Sequence, residues 1–206
     1  MHYTVSLLTR TLLLAVVFQV TTSQAQQKFS KRQIEKIKTE TLNQVQAQHK
    51  NTQVMIDKVF SFAELGFQEF ETSAYLTKIL EEAGFEVKTG LSGIPTSWMA
   101  TWSSGEGPVI ALGSDVDCIP KASQYPGVAY HKPMVEGAPG HGEGHNAGIP
   151  LNITAALSVQ EIMKKDNIPG TLILWPGIAE ELVASKAWFV RDGYFDDVDM
   201  CIFTHV

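Results

Sequence analysis

Four short stretches carry the residue types that could do chemistry together. Asp115 and Asp117 follow the apolar run Val109–Leu112, and Glu180-Glu181 follow Thr171–Trp175. His205 follows Val198–Phe203, and a glycine-rich segment reads His141-Gly-Glu143-Gly-His145-Asn146. Imidazole nitrogen and carboxylate oxygen are the ligands of zinc and related divalent cations, and two such ions about 3.5–4 Å apart need a carboxylate or water between them. A glutamate flanked by glycines, two residues before a histidine, can turn both heads toward one centre because the glycines permit a sharp bend. Adjacent glutamates can divide the labour, one binding metal and its neighbour acting as general base. Taken singly, each stretch is ordinary. A Glu-Glu pair suits any helix start, where the dipole favours acid, and Asp-x-Asp is common in turns. What points to a site is that three of the stretches sit at the carboxyl ends of strand-like runs, the edge where sites in open α/β sheets assemble.

The elements that must position these residues follow from periodicity. Residues 28–63 carry an apolar stripe at helical spacing through Ile34, Ile37, Leu42, Val45, Ile56, Val59 and Phe60, which predicts one long helix or two shorter ones. Phe70, Leu76, Ile79, Leu80 and Ala83 predict a second helical unit, stopped at Gly84. Phe85–Lys88, Thr96–Trp102 and Val109–Leu112 are short β-rich runs between Gly/Ser/Pro turns. A loop is expected from Ser114 to Pro150, then a helix Leu151–Lys165, a strand Thr171–Trp175, a helix from about Glu181 to Asp192 and a strand from about Val198 to Phe203. Strands alternating with helices of this length predict an α/β fold, a mainly parallel sheet flanked by helices. So long a loop in a compact domain is expected to be functional.

Composition bounds the remaining choices. At 44% hydrophobic and 18% charged residues, the 206-residue chain suits a packed core and excludes disorder and coiled coil. The net charge of −6 with no Lys/Arg cluster argues against nucleic acid as a partner. Residues 1–25 run from Arg10 through the apolar Thr11–Val20 to Ser23-Gln24-Ala25, the order of a secretory signal. That run is too short to span a bilayer, so the mature protein is expected to be exported, periplasmic or secreted, with no stable membrane span after cleavage. Cys118 and Cys201 are too few for a disulfide framework and are expected to be buried small hydrophobes.

Ala111-Leu-Gly-Ser-Asp-Val-Asp117-Cys-Ile-Pro120, Pro139-Gly-His-Gly-Glu-Gly-His-Asn146, Ile178-Ala-Glu-Glu181 and Phe189–Asp199 with Thr204-His205 resemble, in order, motifs of the M20 family of metallopeptidases and amidohydrolases. The likeness is nearest to its p-aminobenzoyl-glutamate hydrolase branch. The resemblance implies a zinc-exopeptidase-like catalytic domain, of which residues 26–206 would be the N-terminal part. It implies Glu143, His145, Glu181 and His205 as metal ligands, Asp117 as the carboxylate that supports a ligand, and Glu180 as general base. Two divalent metal ions, zinc or manganese, would be the cofactors. The substrate would be a small-molecule amide, an acyl or aroyl amino acid; the alternatives are a dipeptidase or carboxypeptidase, or a catalytically incomplete remnant or binding module. Members of the family run to about twice this length with an inserted dimerisation domain, so the full-length form is expected to be a homodimer. Glu143 stands where the branch usually has cysteine, and Glu181 is followed by Leu-Val-Ala where the family has glycines.

Overall fold

Ser30 opens the first helix for a local reason. Its hydroxyl accepts from the Gln33 amide at 3.3 Å while the Gln33 side chain accepts from the Ser30 amide at 2.9 Å, so two orphan donors are satisfied reciprocally. The structure, a computed structural model, describes residues 29–183 and 185–205; the expected leader at 1–25 lies outside them. The 28–63 segment forms two helices, α1 (Lys31–Ala47) and α2 (His49–Phe62), meeting at Gln48. Helix α3 (Phe70–Glu82) ends as its sequence predicts: Gly84 takes φ +86° and the Phe85 amide donates back to the Leu80 carbonyl at 3.0 Å.

Five strands follow, β1 (Glu86–Thr89), β2 (Trp98–Ser103), β3 (Val109–Asp115), β4 (Thr171–Gly177) and β5 (Met200–Phe203), in the spatial order β1-β2-β4-β3-β5. The functional half of the sheet is parallel: β3 pairs with β4 from Val109↔Thr171 to Asp115↔Gly177, and with β5 from Ile110↔Met200 to Gly113↔Phe203. The other half is antiparallel, β1 with β2 and β2 with β4. No crossover helix separates β1 from β2, so a short turn returns the chain antiparallel. The α/β fold expected from the alternation therefore holds as a mixed sheet, parallel where the site forms.

Three expectations are corrected. The Ser114–Pro150 stretch is not all loop, because helix α4 spans His145–Asp166 and contains Pro150 in its second turn. Proline costs only one backbone hydrogen bond so near a helix start, and the turns after it bury Ile153 and Ala156 completely. The helix expected over 181–192 is a single 3-10 turn, Glu180–Leu182, followed by the short α5 (Lys186–Arg191). Left-handed backbone at Ala179 and Val183 caps that turn at both ends. Cys201 is exposed, because β5 is an edge strand; Cys118 is buried as expected, and both thiols are free.

Helix α4 packs on β3 and β4, α1 and α2 pack on α4, and α3 packs on β1 and β2. The core between them includes Leu76, Leu80, Trp98, Ile149, Ile153, Leu174, Ile178 and Phe189, all essentially fully buried. Each such aliphatic side chain stabilises the fold by about 1.5–3 kcal/mol relative to exposure. Among the described residues no helix is long and apolar enough to cross a membrane.

Candidate metal centre

The parallel register decides where the chemistry gathers. Strands β4, β3 and β5 are neighbours that all point the same way, so their carboxyl ends deliver Glu180-Glu181, Asp115 with Asp117, and His205 to one edge. Helix α4 starts at the same edge, with Gly144 at φ +79° turning the chain so that His145 is its first residue. Gly148 lets α4 approach the end of β3, since a Cβ there would overlap the Ser114 hydroxyl. The Thr204 amide donates to the Gly113 carbonyl at 2.9 Å, and the Thr204 hydroxyl donates to the Asn152 side chain at 3.2 Å, which ties the His205 backbone to β3 and α4.

His145 Nδ1 donates to the Asp117 carbonyl at 3.0 Å and lies 3.6 Å from the Asp117 carboxylate. That contact fixes the ring and directs Nε2 outward as the available lone pair. Nε2 of His145 and Nε2 of His205 are 3.2 Å apart, and Glu143 Oε2 is 3.8 Å from the first and 3.9 Å from the second. Glu143, His145, Glu180 and Glu181 each offer an atom within 4.8 Å of the others. Asp115, His145 and His205 form a second such group, and the two groups share His145. Asp117 supports both sides, because its Oδ2 accepts from the Glu181 amide at 3.1 Å. The structure thus brings Glu143, His145, Glu180, Glu181 and His205 together, with Asp117 buried behind them.

The charges in this cluster are out of balance. Burial pushes the Glu181 carboxyl up, and the Glu143, Asp117 and Glu180 carboxylates push it further against the opposing pull of His145. Burial opposes charge on His145, but its contacts with Asp117 outweigh that and raise its pKa. Among the described residues, no Lys or Arg pairs with Glu143 or Glu181. Two imidazoles converging with the Glu143 and Glu181 carboxylates, neither of which has a Lys or Arg beside it among the described residues, fit one or more divalent cations.

One contributor, Lys186, gave little sign of itself in the sequence. Asp115, fully buried at the end of β3, is held by Lys186 Nζ at 2.8 and 3.0 Å, and the same ammonium lies 3.9 Å from Glu180. Burial raises the Asp115 pKa, with Lys186 opposing. Lys186 sits five residues past Glu181 with no motif to mark it. His141, inside the glycine-rich motif, does not join the cluster. Its Nε2 donates to the Val59 carbonyl at 3.2 Å on α2, and burial pushes its pKa down to about 4.

A sheet with this donor set at its carboxyl edge is an arrangement that can hold divalent cations. No family model matches the chain. It is 34% identical over 149 residues to one of the subunits of the p-aminobenzoyl-glutamate hydrolase of Escherichia coli (strain K12), covering 72% of this chain and 31% of that protein. It is 30% identical over 147 residues to the N-acetyl-L-cysteine deacetylase of Bacillus subtilis (strain 168), covering 70% and 33%. Among solved structures, the Bacillus subtilis YXEP protein, described as a dinuclear metal binding peptidase from the M20 family, superposes with a TM-score of 0.61 at 24% identity, covering 78% of this chain and 43% of that one. The chain belongs with the M20 amidohydrolases and metallopeptidases, and spans about a third of the length of the curated relatives it matches.

Proposed function

We propose that this chain supplies a large part of the active site of a metal-dependent amidohydrolase, which cleaves the amide between an acyl or aroyl group and an amino acid. The observation that carries the reading is the convergence of His145 Nε2, His205 Nε2 and the Glu143 carboxylate beside Glu180 and Glu181 at one sheet edge. Divalent cations, zinc or manganese, would be held by Glu143, His145, Glu181 and His205, and would polarise the scissile carbonyl and acidify a water. Glu180 is the proton carrier in this scheme: it takes the proton of the attacking water and returns it to the leaving amine. Asp117 keeps His145 and the Glu181 backbone in register. The Glu143 carboxylate is a harder ligand than a thiolate, which favours tolerance of manganese. Acyl-amino acid substrates are supported by the relatives, a p-aminobenzoyl-glutamate hydrolase and an N-acetyl-L-cysteine deacetylase.

Glu180→Gln separates the roles. Turnover of N-acyl or aroyl amino acids by the full-length protein should fall by at least about 1,000-fold, while metal content measured by plasma emission stays at the wild-type value. Loss of metal with the substitution would mean that base and ligand have been exchanged, and retained turnover would dismiss Glu180 as the base.

A further inference from the structure

Glu69 has no part in the site so far, yet it is fully buried, and among the described residues it makes no ion pair. Its carboxylate has two partners. Oε2 accepts from the Thr96 hydroxyl at 2.8 Å, and Oε1 accepts from the Ala179 amide at 2.9 Å. Thr96 is itself buried, and its carbonyl accepts from the Ser73 hydroxyl at 2.7 Å, so the carboxylate is pinned from the α3 side. The other end of the bridge reaches the residue immediately before Glu180.

Ala179 is an unusual residue to hold. Its backbone is left-handed, at φ +53° and ψ +44°, which costs a non-glycine residue conformational energy unless its surroundings enforce it. Ala179 is fully buried, and Gly66 passes so close that a Cβ there would come within 2.9 Å of the Ala179 Cα and Cβ. Three side-chain oxygens take amides on either side of Glu180: Ser185 Oγ accepts from Ile178 at 3.0 Å, Glu69 from Ala179, and Asp117 Oδ2 from Glu181. Asp117 belongs to the cluster and Ser185 lies on the same segment as the turn. Glu69 is the one acceptor of the three brought in from a different layer of the fold.

We propose that Glu69 is a positioning residue for the reaction: by accepting the Ala179 amide it holds the left-handed backbone from which Glu180 and Glu181 project. The inference rests on the reading of Glu180 as base. What the site needs from position 69 is an acceptor at Oε1, not a negative charge. A glutamine can supply it, with its amide donating to the Thr96 oxygen in place of the bond Thr96 now donates. A methionine fills the same space and supplies nothing.

The test compares Glu69→Gln with Glu69→Met in the full-length protein, with kcat, KM and hydrogen–deuterium exchange of the Ala179 amide as readouts. The Met variant should lose about 10–100-fold in kcat with KM changed by less than about threefold, because the base is misplaced while substrate contacts remain. Its Ala179 amide should exchange at least about tenfold faster. The Gln variant should stay within about threefold of wild type in every readout. Unchanged kcat and exchange in a folded Met variant overturn the proposal, and so does a Gln variant as impaired as Met, which would make the charge the important feature. If the Met variant does not fold, Thr96→Val takes its place by removing one anchor of the carboxylate. It should cost about 3–10-fold in kcat and speed Ala179 exchange, and no change in either overturns the proposal. Retained turnover in Glu180→Gln would defeat the assignment of the base alone, since Ala179 exchange reports on Glu69 whether or not substrate turns over.

Discussion

Asp117 touches the cluster in two ways that substitution can separate. Its carboxylate faces His145 Nδ1 at 3.6 Å, too long for a hydrogen bond, while its backbone carbonyl makes the actual bond at 3.0 Å. Its Oδ2 accepts from the Glu181 amide at 3.1 Å. Asp117→Asn keeps the backbone bond and can keep the Glu181 contact, so it removes chiefly charge. Two full charges about 4 Å apart at an effective dielectric near 20 interact by about 4 kcal/mol. A cation-polarised imidazole carries only part of a charge on its N–H, so about 1.4–2 kcal/mol is a reasonable share, or about 10–30-fold in cation affinity. Asp117→Ala also frees the Glu181 amide and should weaken binding by about 100-fold. Competition against a chromophoric chelator at fixed pH measures both. The sign with pH is also determined. His145 must be neutral to bind a cation, and its pKa is raised, so occupancy falls as pH drops through that raised value. Asp117→Asn removes the charge that helps raise it, so the loss should move to lower pH even though affinity at high pH is poorer. An Asn variant with wild-type affinity, an Ala variant no weaker than Asn, or an acid limb that stays in place would each refute this account.

The remaining predictions concern stability and reactivity. Lys186→Met leaves the fully buried Asp115 without its ammonium and should destabilise the chain by about 2–3 kcal/mol, allowing for the partial exposure of Lys186, as read by urea unfolding. His141 must stay neutral in the fold, so its contribution is fully present above the ordinary histidine value of 6.5 and is lost as pH falls toward about 4. His141→Gln should flatten that part of the stability curve by about 2–3 kcal/mol, with melting followed from pH 7 to 4. Iodoacetamide applied to the native 206-residue chain should label the exposed Cys201 and spare Cys118, whose thiol burial pushes up to about 12. Labelling of Cys118 at a comparable rate would contradict its burial.

Much of this arrangement was legible because the periodicity of the second half is strong. Apolar runs at 109–112, 171–175 and 198–203 fall within or beside the three parallel strands, and the polar residues just past them fall at the shared edge. Where the sequence misled, local rules pulled against tertiary ones. Pro150 and the glycines before it look like a helix stop, yet the face of α4 carrying Ile149 and Ile153 is fully buried and outweighs the single bond the proline forgoes. Leu182, Val183 and Ala184 look helical, but left-handed residues on either side of Glu180–Leu182 end the turn at once. Glu69 was invisible for a simpler reason. A lone glutamate at a helix start reads as a dipole partner, and only its burial and its bond from the Ala179 amide show that it faces inward.

The turn that carries Glu180 and Glu181 concentrates the backbone strain of this half of the molecule. Ala179, Val183 and Ser185 all have φ between +53° and +55°, and none is glycine. For Val183 the penalty is largest, since a β-branched side chain crowds the following carbonyl in that conformation. The family resemblance would place glycines just after Glu181, where the same conformation costs far less. This chain therefore adopts the backbone path without the residues that make it easy, and strain of about 1–2 kcal/mol per residue has to be offset by fixed contacts. Those contacts are the Ser185, Glu69 and Asp117 oxygens, each buried and each on a different amide of the turn. The consequence is a division of labour between layers of the fold: parallel strands bring the ligands to one edge, while a buried set of acceptors, one of them at the N-cap of α3, fixes the angle at which the two glutamates meet it.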